Sequence, residues 1–252
     1  MTSEQQVRQG LVRSVATFVL VHGGGHGGWC FQPVARLLRE RGHDVYAPTL
    51  TGLADREHLL SPEVGLETHI TDIVNVLNYE DLHNVILVGH SYGGMVITGV
   101  TDRALDRIAG LVFLDAAIPQ DGEALVDVSP GLLALAAANR TINGVELGLW
   151  PDSDAVSIYG LANSPLEHWA RERLRPHPWK TFTDRLTLRD RDAISAKPRT
   201  IINCTSTLAR RPAETRARWL TADRVWEIDT GHDLMLTQPA AVAEMLARVA
   251  AQ

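Results

Sequence analysis

The residues best equipped for chemistry in this chain of 252 residues are a serine set between glycines and a histidine near the C-terminus. Val88-Gly89-His90-Ser91-Tyr92-Gly93-Gly94 satisfies the pattern G-x-S-x-G. A serine on a sharp strand-to-helix turn presents its hydroxyl clear of the sheet, and glycines two before and two after it let the chain pass itself. The pattern is short enough to arise by chance. Here it directly follows the apolar run Asn84–Val88 and opens a helical pattern, the setting it requires. Ser91 is therefore expected to be a nucleophile rather than part of a structural turn. Such a hydroxyl needs a base. Ten histidines are present. His43, His58, His69, His83, His168 and His177 read as surface or packing residues, His22 and His26 as braces of a glycine loop, and His90 as packing beneath the serine turn. His232, in Asp229-Thr230-Gly231-His232-Asp233, falls between the last strand pattern and the last helix pattern and is the expected base.

Acyl transfer also needs donors for a developing oxyanion. His22-Gly23-Gly24-Gly25-His26-Gly27-Gly28-Trp29 follows the first apolar run, and its glycines let backbone N–H groups come close. Gly24 N–H and Tyr92 N–H are the expected donors. A phosphate-cradling loop is the competing reading, but neither a GK[ST] ending nor a G-x-G-x-x-G leading to an acidic residue is present.

These residues must be positioned by a sheet. Short apolar runs at Thr17–Val21, Asp44–Ala47, Asn84–Val88, Ile108–Leu114, Thr200–Cys204 and Arg224–Ile228 suit strands buried on both faces. Helical patterns alternate with them over Phe31–Arg41, Leu66–Tyr79, Tyr92–Asp102, Pro212–Leu220 and Pro239–Ala250. Alternation of this kind predicts an α/β fold, a mostly parallel six-stranded sheet with helices on both faces. Residues 117–196 carry no clear buried strand but hold Trp150, Tyr159, Trp169 and Trp179. So long a structureless loop is implausible, so a helical cap inserted in a core of 14–116 and 197–252 is expected, with 1–13 as a flexible leader.

Composition narrows the partners. A net charge of −6 disfavours nucleic acid, and the arginines within 171–191 are interrupted by acids. No apolar run reaches the roughly 18 residues of a membrane span, and 1–14 lacks a signal-peptide core. A cytoplasmic protein acting on a small molecule is expected, without membrane or nucleic-acid partners. Cys30 and Cys204 have no metal-ligand spacing and fit a reducing compartment. No metal is expected, and a homodimer is left open.

The segments His22–Trp29, Gly89–Gly94 and Gly231–Pro239 resemble the HGxxHGxW, GHSxGG and GHDxMLxxP-like segments of plant-type methylesterases and hydroxynitrile lyases and their bacterial esterase relatives. The resemblance runs from about Thr17 to the C-terminus. It implies an α/β-hydrolase core with a helical lid, no cofactor, and activity on small esters. The lyases carry a threonine where Gly23 stands and a lysine where Asp233 stands, so the chain reads as esterase-like. The third triad member does not stand where the resemblance implies it. The esterases place an aspartate just after the strand ending at Cys204, about where Thr207 stands, and a threonine cannot stabilise an imidazolium as a carboxylate does. Some haloalkane dehalogenases place the acid one strand earlier, which here is Asp115. An aspartate ending a buried strand is costly unless paired, so Asp115 is either the triad acid or a strand-end cap; Glu214 is the fallback. Gly25, Trp150 and Trp169 are expected to line an apolar pocket. The expected activity is hydrolysis of a small aromatic or alicyclic ester through an acyl-enzyme on Ser91. Lactone or carbon–carbon bond hydrolysis, or ligand binding without turnover, are the alternatives.

Overall fold

The structure, a computed structural model, describes residues 15–152 and 155–252, excluding the side chains of 155, 156 and 214. The leader expected over 1–13 lies outside the described residues. Six strands form one sheet: β1 (Thr17–Val21), β2 (Asp44–Tyr46), β3 (Val85–His90), β4 (Ile108–Leu114), β8 (Arg199–Cys204) and β9 (Arg224–Ile228), in the order β2-β1-β3-β4-β8-β9. Every pairing in it is parallel. All six runs expected as strands are found in this sheet.

The strands read as unbroken apolar runs because both faces are covered. Val19, Val21, Val85, Leu87, Leu111 and Phe113 point to one face, against Ile70, Ile73 and Leu77 of α2 (Leu66–Tyr79) and Met95 and Val96 of α3 (Gly93–Arg103). Phe18, Leu20, Ile86, Val88, Val112 and Leu114 point to the other. There they meet Val34 and Leu38 of α1 (Gln32–Glu40) and Val242 and Leu246 of the C-terminal helix Pro239–Ala250. This period-two split divides the core into two layers. The expected helix over Pro212–Leu220 is instead a turn of α-helix, Ala213–Arg216, followed by a 3-10 turn, Ala217–Leu220.

Between β4 and β8 the helices among the described residues are all short, among them Leu125–Val128, the 3-10 segment Pro130–Ala138, Glu167–Arg171, Lys180–Thr183 and Arg191–Ser195. Beside the helices expected there, the insert holds a second sheet that the sequence did not announce, antiparallel, of β5 (Arg140–Ile142), β6 (Val145–Gly148) and β7 (His177–Pro178). Its hairpin turns on Asn143 and Gly144, with φ of 51° and 80°. Two central residues at positive φ, filled by Asn-Gly, mark the tight turn whose twist matches the flanking strands.

Candidate active site

Ser91 and Asp115 are the first residues beyond two neighbouring strand ends. In the register His90 pairs with Leu114, and the ladder carries on one step past each strand: Ser91 N donates to Leu114 O at 3.3 Å and Asp115 N to Ile202 O at 2.7 Å. Ser91 sits at φ 52° and Asp115 at φ 44°, both in the left-handed region that L-residues avoid. The Ser91 carbonyl accepts from Gly94 N at 3.1 Å and Ala117 N at 2.9 Å, holding the turn closed. Gly94 has no substitute here, because a Cβ on it would lie 1.9 Å from Ala117 O.

His232 arrives on the loop after β9. Its carbonyl accepts from His90 Nε2 at 3.0 Å, and Asp233 N donates to Tyr159 O at 2.9 Å. The ring spans the gap between the two strand ends: Nε2 lies 2.8 Å from Ser91 Oγ and Nδ1 2.5 Å from Asp115 Oδ2. Thr207, at the place where the resemblance implies an acid, donates its hydroxyl to the same Oδ2 at 2.6 Å. Thr207 belongs to α4 (Thr205–Arg210), which starts directly after β8. Arg211 Nη2 stands 3.5 Å from Asp115 Oδ1. Burial alone would raise the Asp115 carboxyl, but the hydrogen bond and charge of His232, the Thr207 hydroxyl and the Arg211 guanidinium outweigh it and hold it down at about 2. The side chain of Glu214, the fallback acid, lies outside the described residues.

The glycine loop after β1 is gripped by its carbonyls. Gly23 O receives His22 Nδ1 at 2.9 Å, and Gly24 O receives both His26 Nδ1 at 2.8 Å and Tyr159 Oη at 3.0 Å. Gly25 N donates to His177 Nδ1 at 3.1 Å. Among the described residues no acceptor faces the amides of Gly24 or Tyr92. Both residues line the cavity above Ser91.

The grip defines the protonation of five buried histidines. His22 accepts from Leu50 N at Nε2, so it is neutral with its proton on Nδ1. His69 gives Nε2–H to Thr51 O and accepts the Tyr92 hydroxyl at Nδ1, 2.9 Å away. Burial drives His22 to about 3, His69 to about 4 and His90 to about 3, and takes His177 well below its ordinary value. His26 differs. Its two ring nitrogens face only acceptors, Gly24 O and, at 3.0 Å, Asp233 Oδ2, so both carry protons. Burial opposes that charge, but the Asp233 carboxylate outweighs it and raises His26, while His26 in turn holds Asp233 below its ordinary value despite burial. Asp233 is fully buried in this pair and does not line the cavity.

A cavity of about 430 Å³ opens over Ser91 and His232. Leu125, Val128, Leu149, Phe182 and Trp219 give it apolar walls, and Arg210 and Arg211 stand on one side. The expected lining of Gly25, Trp150 and Trp169 is corrected. Trp169 packs edge-on against Trp29 at 5.2 Å under Arg173, Trp150 lies under Arg140, and Gly25 faces Tyr159 and the Arg175 carbonyl. Phe182 takes the expected place instead, because it stacks on His177 at 4.5 Å and is thereby fixed beside the glycine loop. Among the described residues no three His, Cys, Asp or Glu side chains are grouped to hold a metal ion, and no helix is long and apolar enough to cross a membrane.

Residues 18–245 match the family model described as the alpha/beta hydrolase family. The chain is 37% identical over 243 residues to the carbendazim hydrolyzing esterase of Nocardioides sp. (strain SG-4G), covering 92% of this chain and 99% of that one. It is 26% identical to the esterase PIR7B of Oryza sativa subsp. japonica, over 92% of this chain and 95% of the other. Among solved structures, an extracellular alpha/beta-hydrolase from a Paenibacillus species, described as sharing homology with tobacco salicylic acid binding protein 2, superposes with a TM-score of 0.75. It is 25% identical and covers 92% of this chain and 98% of its own. The methylesterase MES16 of Arabidopsis gives 0.73 at 24% identity, over 94% and 99%, and speaks to the fold alone. With the family model spanning most of its length and a relative matched end to end, the chain belongs to the alpha/beta hydrolase family, as an esterase-type member.

Proposed function

We propose that the chain hydrolyses small uncharged carboxylic esters through an acyl-enzyme on Ser91, with His232 as general base and Asp115 as triad acid. The observation that carries this reading is the continuous hydrogen-bond path Ser91 Oγ, His232, Asp115 at 2.8 Å and 2.5 Å, opening onto the cavity. His232 Nε2 takes the serine proton as Oγ attacks the carbonyl, and Asp115 stabilises the imidazolium. The unpartnered amides of Gly24 and Tyr92 receive the oxyanion. His232 then returns the proton to the departing alcohol, and water repeats the sequence to release the acid. The insert 117–196 acts as a cap, since Leu125, Val128, Leu149, Ile158, Tyr159 and Phe182 from it wall the cavity. That apolar wall favours an aromatic or alicyclic acyl group.

The test is hydrolysis of p-nitrophenyl acetate and butyrate, with carbendazim alongside because of the Nocardioides relative, and labelling by a fluorophosphonate read by mass spectrometry. Turnover with label on Ser91, and loss of both in a folded Ser91→Ala variant, is the expected result. Turnover retained in Ser91→Ala overturns the proposal.

A further inference from the structure

The Asp115 carboxylate is 1% exposed, and its two oxygens are treated differently. Oδ2 is shared by His232 Nδ1 and the Thr207 hydroxyl. Oδ1 makes no hydrogen bond among the described residues and faces the Arg211 guanidinium at 3.5 Å. Arg211 is itself seated, 3.8 Å above the ring of Trp219. Trp219 Nε1 donates at 2.7 Å to Ala116 O, the carbonyl next to the acid. A carboxylate held by His232 alone keeps rotational freedom about its last side-chain bond. A hydroxyl on one oxygen and a cation beside the other remove it. Thr207 Oγ1 and His232 Nδ1 are also each one hydrogen bond from the same oxygen. A side chain at 207 that carries a carboxylate one bond further out therefore puts an oxygen near the place Asp115 Oδ2 now fills.

We propose that Thr207 and Arg211 are positioning residues for the Asp115 carboxylate, and that position 207 is a second seat from which a carboxylate reaches the same nitrogen of His232. The inference rests on the reading of Asp115 as the triad acid. It accounts for a threonine standing where the resemblance implies an acid: the hydroxyl is the donor that a carboxylate arriving from β4 needs on that side. It also accounts for a partly buried arginine at the side of the cavity, whose charge is compensated by Asp115 rather than left to the substrate.

The test measures kcat and KM for p-nitrophenyl acetate in Asp115→Asn, Thr207→Val, Thr207→Ser, Arg211→Met and the double variant Asp115→Asn/Thr207→Asp, each checked for folding by circular dichroism. A hydrogen bond to a charged group is worth about ten- to hundred-fold in an equilibrium. Thr207→Val is expected to lower kcat by about ten-fold with KM little changed, and Thr207→Ser to recover it. Arg211→Met is expected to lower kcat rather than raise KM. The double variant is expected to regain about ten-fold or more over Asp115→Asn alone. Equal kcat in Thr207→Val and wild type, equal losses in Thr207→Val and Thr207→Ser, or no regain in the double variant overturns the proposal. If Thr207→Val does not fold, Thr207→Ser and the double variant decide. Wild-type kcat in Asp115→Asn would instead overturn the triad reading itself; a slow Asp115→Asn beside silent Thr207 variants overturns only the positioning role.

Discussion

Replacing Asp233 by asparagine separates the electrostatics of the glycine loop from the chemistry of the serine. His26 carries two protons because both its nitrogens face acceptors, and Asp233 is the counter-charge, with both side chains fully buried. The Asp233→Asn variant would leave that imidazolium facing a neutral amide, and breaking a buried pair from one side costs about 3–5 kcal/mol. At roughly 2–4 °C per kcal/mol for a chain of this size, Tm should fall by about 10 °C. The alternative relaxation, loss of the Nε2 proton from His26, lets that nitrogen accept from the new amide, but it removes the charge from the donor that holds Gly24 O at 2.8 Å and so weakens that bond about two-fold. Either way the Gly24 peptide, the proposed oxyanion donor, is held less firmly, with the Tyr159 hydroxyl left as its undisturbed anchor. Removing an oxyanion donor outright costs about 10²–10³ in kcat, so a misaimed donor should cost about ten- to hundred-fold. The assay is a thermal melt by circular dichroism together with steady-state ester hydrolysis. Asp229→Asn, at an exposed residue whose carboxylate accepts from the Thr205 hydroxyl, is the control expected to leave Tm alone. An Asp233→Asn variant that melts with the wild type and keeps its kcat would refute the argument that a charged His26 braces the loop.

The neutral buried histidines make a separate expectation about acid. His22, His69 and His90 take up protons near 6.5 in the unfolded chain but only at about 3, about 4 and about 3 when folded. The unfolded state therefore binds more protons below pH 6.5, and stability falls as pH drops, by about 1.4 kcal/mol per unit for each ring. Three rings together give about 4 kcal/mol per unit, enough to unfold a domain of ordinary stability by about pH 4; a native far- and near-ultraviolet dichroism spectrum at pH 3.5 would contradict this. Gly23→Ala should abolish most turnover, because the new Cβ would stand 2.7 Å from Ser91 Cβ and 2.9 Å from His90 Nδ1. If the proposed nucleophile moves by about 1 Å the rate should fall by about 10², so wild-type kcat in that variant would refute the close-packing argument. Phe182→Ala removes a 1% exposed ring from the cavity wall and should cost about 3–5 kcal/mol. It should also raise the preference for butyrate over acetate, and an unchanged ratio of kcat/KM would show that Phe182 does not limit acyl size.

The core was legible because its strands obey one rule. Each is a short apolar run buried on two faces, and such runs need no partner information to be recognised. The place of Ser91 at a strand-to-helix turn was legible from its glycines and the run before it, and that of His232 on the loop facing it from the last run. Asp115 was legible for a different reason, since an aspartate ending a buried strand demands an explanation. The insert resisted because its helices and strands are too short to show a period. Its clearest signal, Asn143-Gly144, is only two residues long. Aromatic type says nothing about direction, so Trp150 and Trp169 looked like pocket walls although each is covered by an arginine on one face. The histidine network was hidden for a deeper reason. Its histidines come from four separate loops and elements, and the tautomer of each is decided by a partner outside its own element, such as Asp233 for His26 or Leu50 for His22.

The proposed triad acid also stands at the root of the insert. The chain leaves the sheet at Asp115, and the next two residues are already committed: Ala116 O to Trp219 Nε1 and Ala117 N to Ser91 O. The part of the molecule that walls the pocket and the carboxylate that orients His232 therefore share one splice point. A chimera that exchanges the insert transplants a pocket without disturbing Asp115 only if its upstream junction falls beyond Ala117. Cut any earlier, it would exchange the anchorage of Asp115 together with the pocket. On the reading of Asp115 as the triad acid, substrate range and catalytic power are linked at this junction and become separable only beyond Ala117.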